Sequence, residues 1–358
     1  MKLLLILNEN PQGSHDDVHN SLASLKRDNI LESYIVYPYL ARLTDGLRNQ
    51  EVVNEIIKIA KDFQPNIILW SHTTKLFISE KKFIILKRLP SEPSMGYWDG
   101  DIYHKFYKPL PNTIIKLARM CDVSFWPGYS KMTLYLKKRG CGDIRYVPLS
   151  TDKERFSTLR KNEIKYDVVM VGNNIRSSIP FKTFPGSIER RKIAEFFYKN
   201  LGPRFAVFGN GWSKKYSKGP VPFKKQNCVY QSSRISLGLN SLHAQYYFSN
   251  RLPISLSSGV IMVHNYENGF EEIFNKIDYP FFFKDFDQAW KIVKSLLAKS
   301  QEELDELGRR YRNFALVNLT MIQNLKYMIE VLHSYNINKD NRKMLKRIPN
   351  PWIKNPQI

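Results

Sequence analysis

The chain has 358 residues, which is too long for one ordinary domain and suits two domains of about 150 to 180 residues each. Hydrophobic residues make up 43% of the chain, which excludes a disordered protein and supplies material for two packed cores. The net charge of +22 favours an anionic partner, such as nucleotide phosphates, an acidic membrane face, an anionic glycan or a nucleic acid. A lysine-rich proteome would raise the charge in the same way, because the basic residues are spread along the whole chain.

The cysteines and the apolar runs indicate a cytoplasmic protein. Cys121, Cys141 and Cys228 are widely separated and form no CxxC pair, so we expect reduced thiols. The first apolar run, residues 1–7, ends at polar residues without a small-residue cleavage site, which favours a buried strand over a signal peptide. No apolar run reaches the roughly 18 residues that a membrane span needs. A peripheral position at the inner face of the membrane remains open.

Strands and helices alternate through the first 150 residues, which predicts a parallel sheet covered by helices on both faces. The predicted strands are residues 2–7, 66–70, 95–98, 123–126 and 144–147. The predicted helices are residues 17–26, 51–62, 113–120 and 131–138.

The same alternation restarts near Tyr166, after a polar linker. We therefore predict an α/β protein with two Rossmann-like domains, each with a mainly parallel sheet, facing a central cleft. Predicted strands lie at 166–171, 205–208, 260–263 and 280–283, with a helix-to-strand segment at 233–239. Predicted helices lie at 188–198, 250–257, 285–298 and 301–317, and a helix begins in 270–274. The predicted bounds are 1–155 for the first domain, 165–325 for the second, and 326–358 for a C-terminal helix and basic tail.

Glycine-rich turns follow successive strands of the second half. Gly172 follows the apolar strand 166–171, and Gly209 and Gly211 follow the strand 205–208. A glycine at this position lets backbone N–H groups approach a phosphate, and guanidinium groups donate paired hydrogen bonds to one. The arginines near these turns are Arg176, Arg190, Arg191 and Arg251. This arrangement predicts a diphosphate site at the carboxyl edge of the second sheet.

The order of these motifs resembles the C-terminal domain of GT-B glycosyltransferases, and most closely the CgeB-like group related to the group 1 transferases. The resemblance covers roughly residues 1–330. The matching motifs are YDVVMVG at 166–172, Arg190 and Arg191, FGNGW at 208–212, SNRL at 249–252, GVIMV at 259–263 and GFEEIF at 269–274, with DFQPNIIL at 62–69 and VPL at 147–149 in the first half.

The resemblance implies a nucleotide-sugar donor, with UDP-sugar expected, and requires no cofactor. The first domain would bind the acceptor and the second the donor. Backbone groups of Gly172 and Asn173 would contact the diphosphate, and the arginines would neutralise its charge. The other implied donor residues are Gly209, Asn210 and Gly211 near the base or sugar, and Gly269, Phe270 and Glu271 near the sugar and phosphate.

One position departs from the pattern of GT-B enzymes. Many of them carry a Glu, three residues after the arginine, that binds the ribose hydroxyls. This chain has Ile254 there, which cannot accept a hydrogen bond. We expect Ser255 or another residue to replace the carboxylate, unless the donor binds differently.

Transfer to an acceptor hydroxyl requires a general base, which we predict in the loop after strand 95–98 of the first domain. Related GT-B enzymes place a catalytic Asp in a similar loop, so Asp99 or Asp101 is the expected base. Together they also spell D-x-D, which binds a divalent metal in the GT-A fold. The second α/β half argues against that fold, so we expect no metal. The expected acceptor-binding residues are His15, His72, Tyr103 and His104.

These features predict glycosyl transfer to the hydroxyl of a surface glycan, a glycolipid or a protein. An alternative acceptor is a hydroxymethylated DNA base, because the basic charge suits phosphate contacts and Trp98 or Tyr103 could lie beside a flipped base. A second alternative is a non-catalytic GT-B binding module, which Ile254 alone suggests.

Overall fold

The fold was analysed in a computed structural model that describes residues 1–156, 163–174, 183–337 and 348–354. The strands are β1 (Lys2–Leu7), β2 (Ser33–Pro38), β3 (Ile67–Ser71), β4 (Ser94–Trp98), β5 (Val123–Trp126), β6 (Asp143–Tyr146), β7 (Tyr166–Val171), β8 (Phe205–Phe208), β9 (Ser233–Gly238), β10 (Met262–Asn265) and β11 (Phe282–Phe283). The helices are α1 (Asp16–Arg27), α2 (Tyr39–Thr44), α3 (Asn49–Phe63), α4 (Glu80–Lys87), α5 (Asn112–Met120), α6 (Lys131–Lys138), α7 (Pro185–Leu201), α8 (Gln226–Gln231), α9 (Arg251–Ser257), α10 (Phe270–Ile273), α11 (Phe286–Leu297), α12 (Gln301–Asn318) and α13 (Met321–Ile337).

The chain forms two compact units, each built on a parallel sheet. The N-terminal unit comprises Met1–Lys105, Pro109–Val147 and Met321–Ile358, and the C-terminal unit comprises Phe106–Lys108 and Pro148–Thr320. Both units are α/β, as the alternating pattern predicts. Among the described residues, no helix combines the length and the apolarity that crossing a bilayer requires.

The N-terminal unit has a six-stranded sheet in the order β2-β1-β3-β4-β5-β6. Every residue of β3 and β4 is buried, because helices cover both faces of the sheet and leave no solvent-facing side. The sequence analysis missed β2, an edge strand of which only Tyr37 and Pro38 are buried. Its half-exposed residues leave a weak hydrophobic pattern.

The C-terminal unit has a five-stranded sheet in the order β11-β10-β9-β7-β8. Strand β7 pairs with β8 on one side and with β9 on the other. The chain moves outward from β7 to β8 and then returns across β7 to form β9. The carboxyl ends of β7 and β9 therefore flank a topological switch point, where ligands of open α/β sheets bind.

The C-terminal segment differs from the sequence-based bounds. We expected a separate helix and basic tail at 326–358, whereas contacts group residues 321–358 with the N-terminal unit. Apolar residues of α13, such as Leu325, Met328 and Leu332, are buried, and this helix packs on α1, β3 and β4. Their burial accounts for the return of the chain to the first sheet.

Residues after α13 also pack into the N-terminal unit. The Asn350 Nδ2 donates to the carbonyl of Tyr146 at 2.8 Å, and the Asn350 Oδ1 accepts from the backbone N of Trp352 at 3.0 Å. The buried Trp352 ring lies 5.5 Å from the Tyr327 ring and 6.4 Å from the Tyr146 ring, measured between centroids. The segment is thus part of the core.

Trp352→Ala should destabilise the protein, because it removes a buried aromatic side chain and leaves a cavity. We expect a loss of about 3–5 kcal/mol in the free energy of unfolding, measured by urea denaturation. Pro351→Ala, at the exposed neighbouring position, is the control and should change little. Equal denaturation midpoints for the two variants would contradict this account of the C-terminal segment.

Candidate functional site

The turn after β7 places an arginine against the backbone. Gly172 has φ 142°, and a Cβ atom there would lie 1.9 Å from Nη1 of Arg251. The same Nη1 donates to the carbonyl of Val171 at 3.3 Å, while the Gly172 amide donates to the carbonyl of Phe208 at 2.8 Å. Only glycine combines this backbone conformation with this close approach. The turn therefore positions a guanidinium, and its own amide is already hydrogen bonded.

The second glycine turn packs against the first. The Asn210 amide donates to Oδ1 of Asn173 at 2.9 Å, and a Cβ at Gly209 would lie 2.3 Å from the carbonyl oxygen of Gly172. Gly211, with φ 81°, continues this turn. The structure thus brings together the two turns that the sequence analysis assigned to the donor.

A buried arginine, Arg190, and a half-buried one, Arg251, meet at this place. The Arg190 side chain is 1% exposed, its Nε donates to the carbonyl of Leu239 at 2.9 Å, and its Nη1 donates to the carbonyl of Asn173 at 3.1 Å. The Arg251 Nε donates to Oγ of Ser249 at 2.9 Å. Within the described part of the chain, neither guanidinium forms an ion pair with a carboxylate.

The pKa values of both guanidinium groups reflect this environment. Burial lowers the pKa of Arg190 well below its ordinary value, and the charge of Arg251 lowers it further. Burial likewise lowers the pKa of Arg251. Two neighbouring cations without a carboxylate partner, one of them buried and the other half-buried, are costly in free energy. A bound anion would supply the missing negative charge.

The structure distinguishes the three other arginine positions of the prediction. Arg190 lies on the buried face of α7 with Ile193 and Phe197. Arg191 lies instead near Tyr216, where its charge opposes the rise in the Tyr216 pKa that burial causes. Arg176 lies outside the described residues. Arg190 is therefore the helix α7 arginine that accompanies Arg251.

The prediction for Ser255 is corrected by the structure. Ser255 is fully buried, its Oγ lies 2.7 Å from Oγ of Ser236, and it donates to the carbonyl of Val260 at 2.9 Å. The side chain belongs to the packing of α9 against β9, and Ile254 is equally buried. Neither side chain can reach a ribose, so the carboxylate replaced by Ile254 has no substitute at these positions.

The fourth predicted turn, at the start of α10, contributes some of its residues to the hydrophobic core. Gly269 has φ 91°, and a Cβ there would lie 2.1 Å from the ring of Tyr246. The Phe270 side chain is fully buried in an aromatic cluster, so the donor contact predicted for this residue would be made by its backbone. The Glu271 carboxylate is exposed and accepts from the hydroxyl of Tyr266 at 2.9 Å.

The sequence analysis missed a buried carboxylate near the arginine pair. Oε1 of Glu267 accepts from Nδ2 of Asn265 at 2.7 Å and from Nδ2 of Asn240 at 3.2 Å, and it lies 2.7 Å from Nδ1 of His243. The hydrogen bond to Glu267 raises the pKa of His243, and Glu189 lies 3.4 Å from its Nε2. Asn240 and His243 lie in the loop after β9, Asn265 ends β10 and Glu267 follows it, and Glu189 lies on α7. In the sequence, the polar residues at the ends of the two buried strands β9 and β10 were the only feature that could have indicated this cluster.

A cavity of about 700 Å³ opens beside this cluster, at the carboxyl ends of β9, β10 and β11. Leu239 lines the cavity and also accepts the hydrogen bond from Arg190. The remaining lining residues are acidic, aromatic or polar: Glu189, Phe196, His243, Asn265, Tyr266, Phe283, Lys284, Asp285, Phe286 and Asp287. The cavity is thus next to the pair formed by Arg190 and Arg251, and it has the size of a small-molecule pocket.

In the N-terminal unit, the predicted base Asp99 is fully buried and accepts four hydrogen bonds. Its Oδ2 accepts from the hydroxyls of Tyr97 at 2.6 Å and Tyr103 at 3.1 Å. Its Oδ1 accepts from the backbone N of Asp101 at 2.9 Å and lies 2.9 Å from Nδ1 of His72. A carboxylate held in this way orients the imidazole.

His72 is half-buried, in contrast to the fully buried Asp99. His72 follows β3 with φ 46°, and its Nε2 lies 3.8 Å from Oδ2 of the partly exposed Asp101. The structure therefore brings together four of the predicted residues: Asp99, Asp101, His72 and Tyr103. His104, the residue after Tyr103, is half-buried.

His15 is connected to the same sheet edge through two residues. Its Nε2 lies 2.9 Å from the carbonyl of Asn8. The Tyr39 hydroxyl joins Oδ1 of Asn8 at 3.1 Å to the carbonyl of His72 at 2.8 Å. The carboxyl ends of β1, β3 and β4 thus carry one polar cluster.

The ligand atoms of His72, Asp99 and Asp101 lie within 4.8 Å of one another, a spacing that a metal ion could span. The carboxylate of Asp99 already accepts four hydrogen bonds, so metal binding would require it to exchange partners. The geometry fits an oriented imidazole better than a metal centre.

Comparisons with known proteins agree with the two-unit architecture. Residues 190–330 match the family described as glycosyl transferase-like. No curated protein matches the chain in sequence. The fold is similar to that of AviGT4, a glycosyltransferase involved in avilamycin A biosynthesis, with TM-score 0.53, 12% identity and coverage of 95% of this chain and 98% of that one.

Two further solved structures share the fold. Anabaena HepE in complex with UDP has TM-score 0.56 and 11% identity, and 93% of this chain and 100% of that one are covered. T4 phage BGT in complex with UDP-glucose has TM-score 0.53 and 12% identity, with 92% and 99% covered. The chain therefore has the GT-B fold, as predicted.

A buried histidine beside the arginine pair makes stability depend on pH. His264 is 1% exposed, and its Nδ1 lies 2.7 Å from the carbonyl of Asn265. Burial lowers the pKa of His264 to about 3, and the charges of Arg251 and Arg190 add to that effect. The unfolded chain binds a proton near pH 6.5 that the folded chain does not bind, so stability falls as the pH decreases below that value.

His264→Gln should weaken this acid dependence. At pH 5 the His264 contribution lost relative to pH 8 is about 2 kcal/mol, and the variant should lack that part of the loss in urea denaturation at the two pH values. His15→Gln, at an exposed position, should keep the wild-type dependence. If the free energy of unfolding of His264→Gln falls between pH 8 and pH 5 as much as that of the wild type, this imidazole is not the group held neutral.

Proposed function

We propose that the chain transfers a sugar from a nucleoside diphosphate sugar to an acceptor hydroxyl. The observation that carries this proposal is the neighbouring pair of the buried Arg190 and the half-buried Arg251, which has no carboxylate partner among the described residues and lies beside the switch point of the second sheet. A diphosphate supplies two or more negative charges at such a place. The glycosyl transferase-like match, which spans both arginines, supports the same function.

The donor binds to the C-terminal unit. Arg190 and Arg251 contact the diphosphate and stabilise the charge that develops on it as the bond to the sugar breaks. The adjacent cavity of about 700 Å³ takes the nucleoside. UDP is the nucleotide we propose, because UDP or UDP-glucose is bound in two proteins of the same fold. Membership of the CgeB-like group is likewise our proposal.

The acceptor hydroxyl is activated in the N-terminal unit by His72. The imidazole Nε2 takes the proton of the attacking hydroxyl, and Asp99 holds the ring through Nδ1 and stabilises the imidazolium that forms. This changes the role proposed for Asp99, because its carboxylate is buried and occupied by hydrogen bonds. Asp101 is close enough to Nε2 to contact the acceptor. His15, Tyr103 and His104 remain the proposed surroundings of the acceptor.

The acceptors we propose are a surface glycan, a glycolipid or a protein, in a cytoplasmic enzyme that contacts the inner face of the membrane. The backbone and side-chain contacts of the described residues do not single out a nucleic-acid groove. Transfer to a hydroxymethylated base is therefore the second candidate; the basic charge favours it, whereas the side chains of Trp98 and Tyr103 are buried.

Arg251→Met should remove donor binding without reducing the stability of the ligand-free protein. Removing the half-buried cation relieves its repulsion with the buried Arg190, so the melting temperature without ligand should stay the same or rise. UDP at 100 times its Kd should stabilise the wild type by about 2.7 kcal/mol and leave the variant unchanged, as measured by thermal denaturation. Arg191→Met is the matched control, since Arg191 lies on another side of α7.

Two results would contradict this assignment. One is a UDP-induced rise in the melting temperature of Arg251→Met that equals the rise in the wild type. The other is a panel of UDP-, GDP- and dTDP-sugars in which none stabilises the wild-type chain.

His72→Ala should lower kcat by about 10²–10⁴ while KM for the donor changes little, because the imidazole acts on the acceptor proton. Asp99→Asn should lower kcat as well, since the ring loses its orienting carboxylate. Release of nucleoside diphosphate in the presence of acceptor measures both effects. Turnover should be the same with and without EDTA, because no metal participates.

The control for this prediction is His333→Ala, on α13 near the N-terminal amino group, which should retain most of the activity. Wild-type kcat in His72→Ala would exclude the imidazole as the base. Loss of turnover in EDTA, with recovery on adding Mn²⁺, would instead assign His72, Asp99 and Asp101 to a metal centre.

A further inference from the structure

Helix α4 exposes an apolar pair between two basic residues. Ile84 and Ile85 are 44% and 38% exposed, whereas Phe83 and Leu86 are buried in the core. Lys81 and Arg88 are exposed and lie three and four residues to either side of this pair. These four positions follow the i, i+3, i+4, i+7 spacing of one helix face. The outward face of α4 therefore carries two apolar residues flanked by a basic residue on each side.

Helix α6 repeats this pattern. Leu134 and Tyr135 are 49% and 39% exposed, and Lys131 and Lys138 are exposed at the same spacings on either side. The inward positions of this helix include the buried Leu136. Large exposed aliphatic side chains placed twice in the same arrangement are unusual for a face that only contacts water.

Helices α4 and α6 lie on one face of the sheet, with α5 between them. The three helices connect β3, β4, β5 and β6, which are consecutive parallel neighbours, so right-handed crossovers put them on the same side. Arg119 of α5 pairs with Glu80 of α4 at 3.1 Å, and its Cδ lies 3.6 Å from a Cβ built at Gly140, just beyond α6. The two apolar pairs therefore belong to one surface.

This surface is strongly basic. The three helices together contain a single carboxylate, Glu80, and eight basic residues: Lys81, Lys82, Lys87, Lys116, Arg119, Lys131, Lys137 and Lys138. By contrast, α3 on the same unit carries three acidic and two basic residues, so the excess is local. We call the set Lys81, Ile84, Ile85, Arg88, Lys131, Leu134, Tyr135 and Lys138 the basic–apolar face.

We propose that the basic–apolar face binds the surface of an anionic lipid bilayer. The lysines and arginines are attracted to anionic headgroups, and the isoleucines, Leu134 and Tyr135 enter the boundary between headgroups and acyl chains. Exposed aliphatic side chains distinguish this partner from a nucleic acid, which would be bound by basic and polar groups alone. The face consists of residues outside both proposed substrate sites, so its role does not depend on glycosyl transfer.

Vesicle sedimentation of the full chain tests this proposal. The wild type should bind vesicles of phosphatidylcholine with about 30% phosphatidylglycerol, and should not bind phosphatidylcholine alone. The apolar variant Ile84→Ser/Leu134→Ser and the basic variant Lys81→Gln/Arg88→Gln/Lys138→Gln should each bind at least about tenfold more weakly. All substituted side chains are exposed, and equal melting temperatures confirm that the variants fold.

Matched controls lie in the C-terminal unit. Val317→Ser removes an apolar side chain that is 61% exposed, and Lys199→Gln/Lys225→Gln/Lys291→Gln removes three exposed charges. Both should bind vesicles as the wild type does. The proposal is overturned if the wild type does not bind anionic vesicles, or if the apolar and basic variants bind them as tightly as the controls do. Salt-dependent binding of duplex DNA, lost in the basic variant without any vesicle binding, would assign the face to nucleic acid.

Discussion

The structure of the C-terminal unit depends on two neighbouring guanidinium groups, one buried and one half-buried, which have no carboxylate partner among the described residues. Arg251 approaches the backbone so closely that Gly172 has no room for a side chain, and Arg190 reaches the same place from α7. Carbonyl oxygens and a hydroxyl accept hydrogen bonds from both cations but carry no net negative charge that would neutralise them. The arrangement costs stability in the free protein, and a bound anion would offset that cost.

The surroundings of the pair maintain this charge imbalance. The nearest buried carboxylate, Glu267, is occupied by Asn240, Asn265 and His243. His264 stays neutral at ordinary pH because it is buried near the two cations. The N-terminal unit shows the opposite arrangement, since the buried carboxylate of Asp99 is surrounded by donors and presents an imidazole. One unit thus concentrates positive charge, and the other uses a buried negative charge to orient an imidazole.

Much of the fold could be predicted from the sequence, because buried parallel strands and amphipathic helices leave strong periodic patterns. The edge strand β2 and the return of α13 to the first sheet could not, since a half-exposed strand has a weak pattern and a helix does not specify its partner. The glycine turns and Arg251 were predicted from their order along the chain. The choice of Arg190 over Arg191 required the orientation of α7, and the burial of Ser255 and Phe270 required the packing of α9 and α10. His72 and Asp99 are 27 residues apart, and only the register of β3 beside β4 brings them together.

A crystal structure of the chain with bound UDP tests the central claim most directly. The account predicts that oxygens of the diphosphate lie within hydrogen-bond distance of both the Arg190 and Arg251 guanidinium groups, with the nucleoside in the cavity beside Leu239. Diphosphate density elsewhere on the chain, with both arginines still bonded only to Val171, Asn173, Leu239 and Ser249, would contradict it.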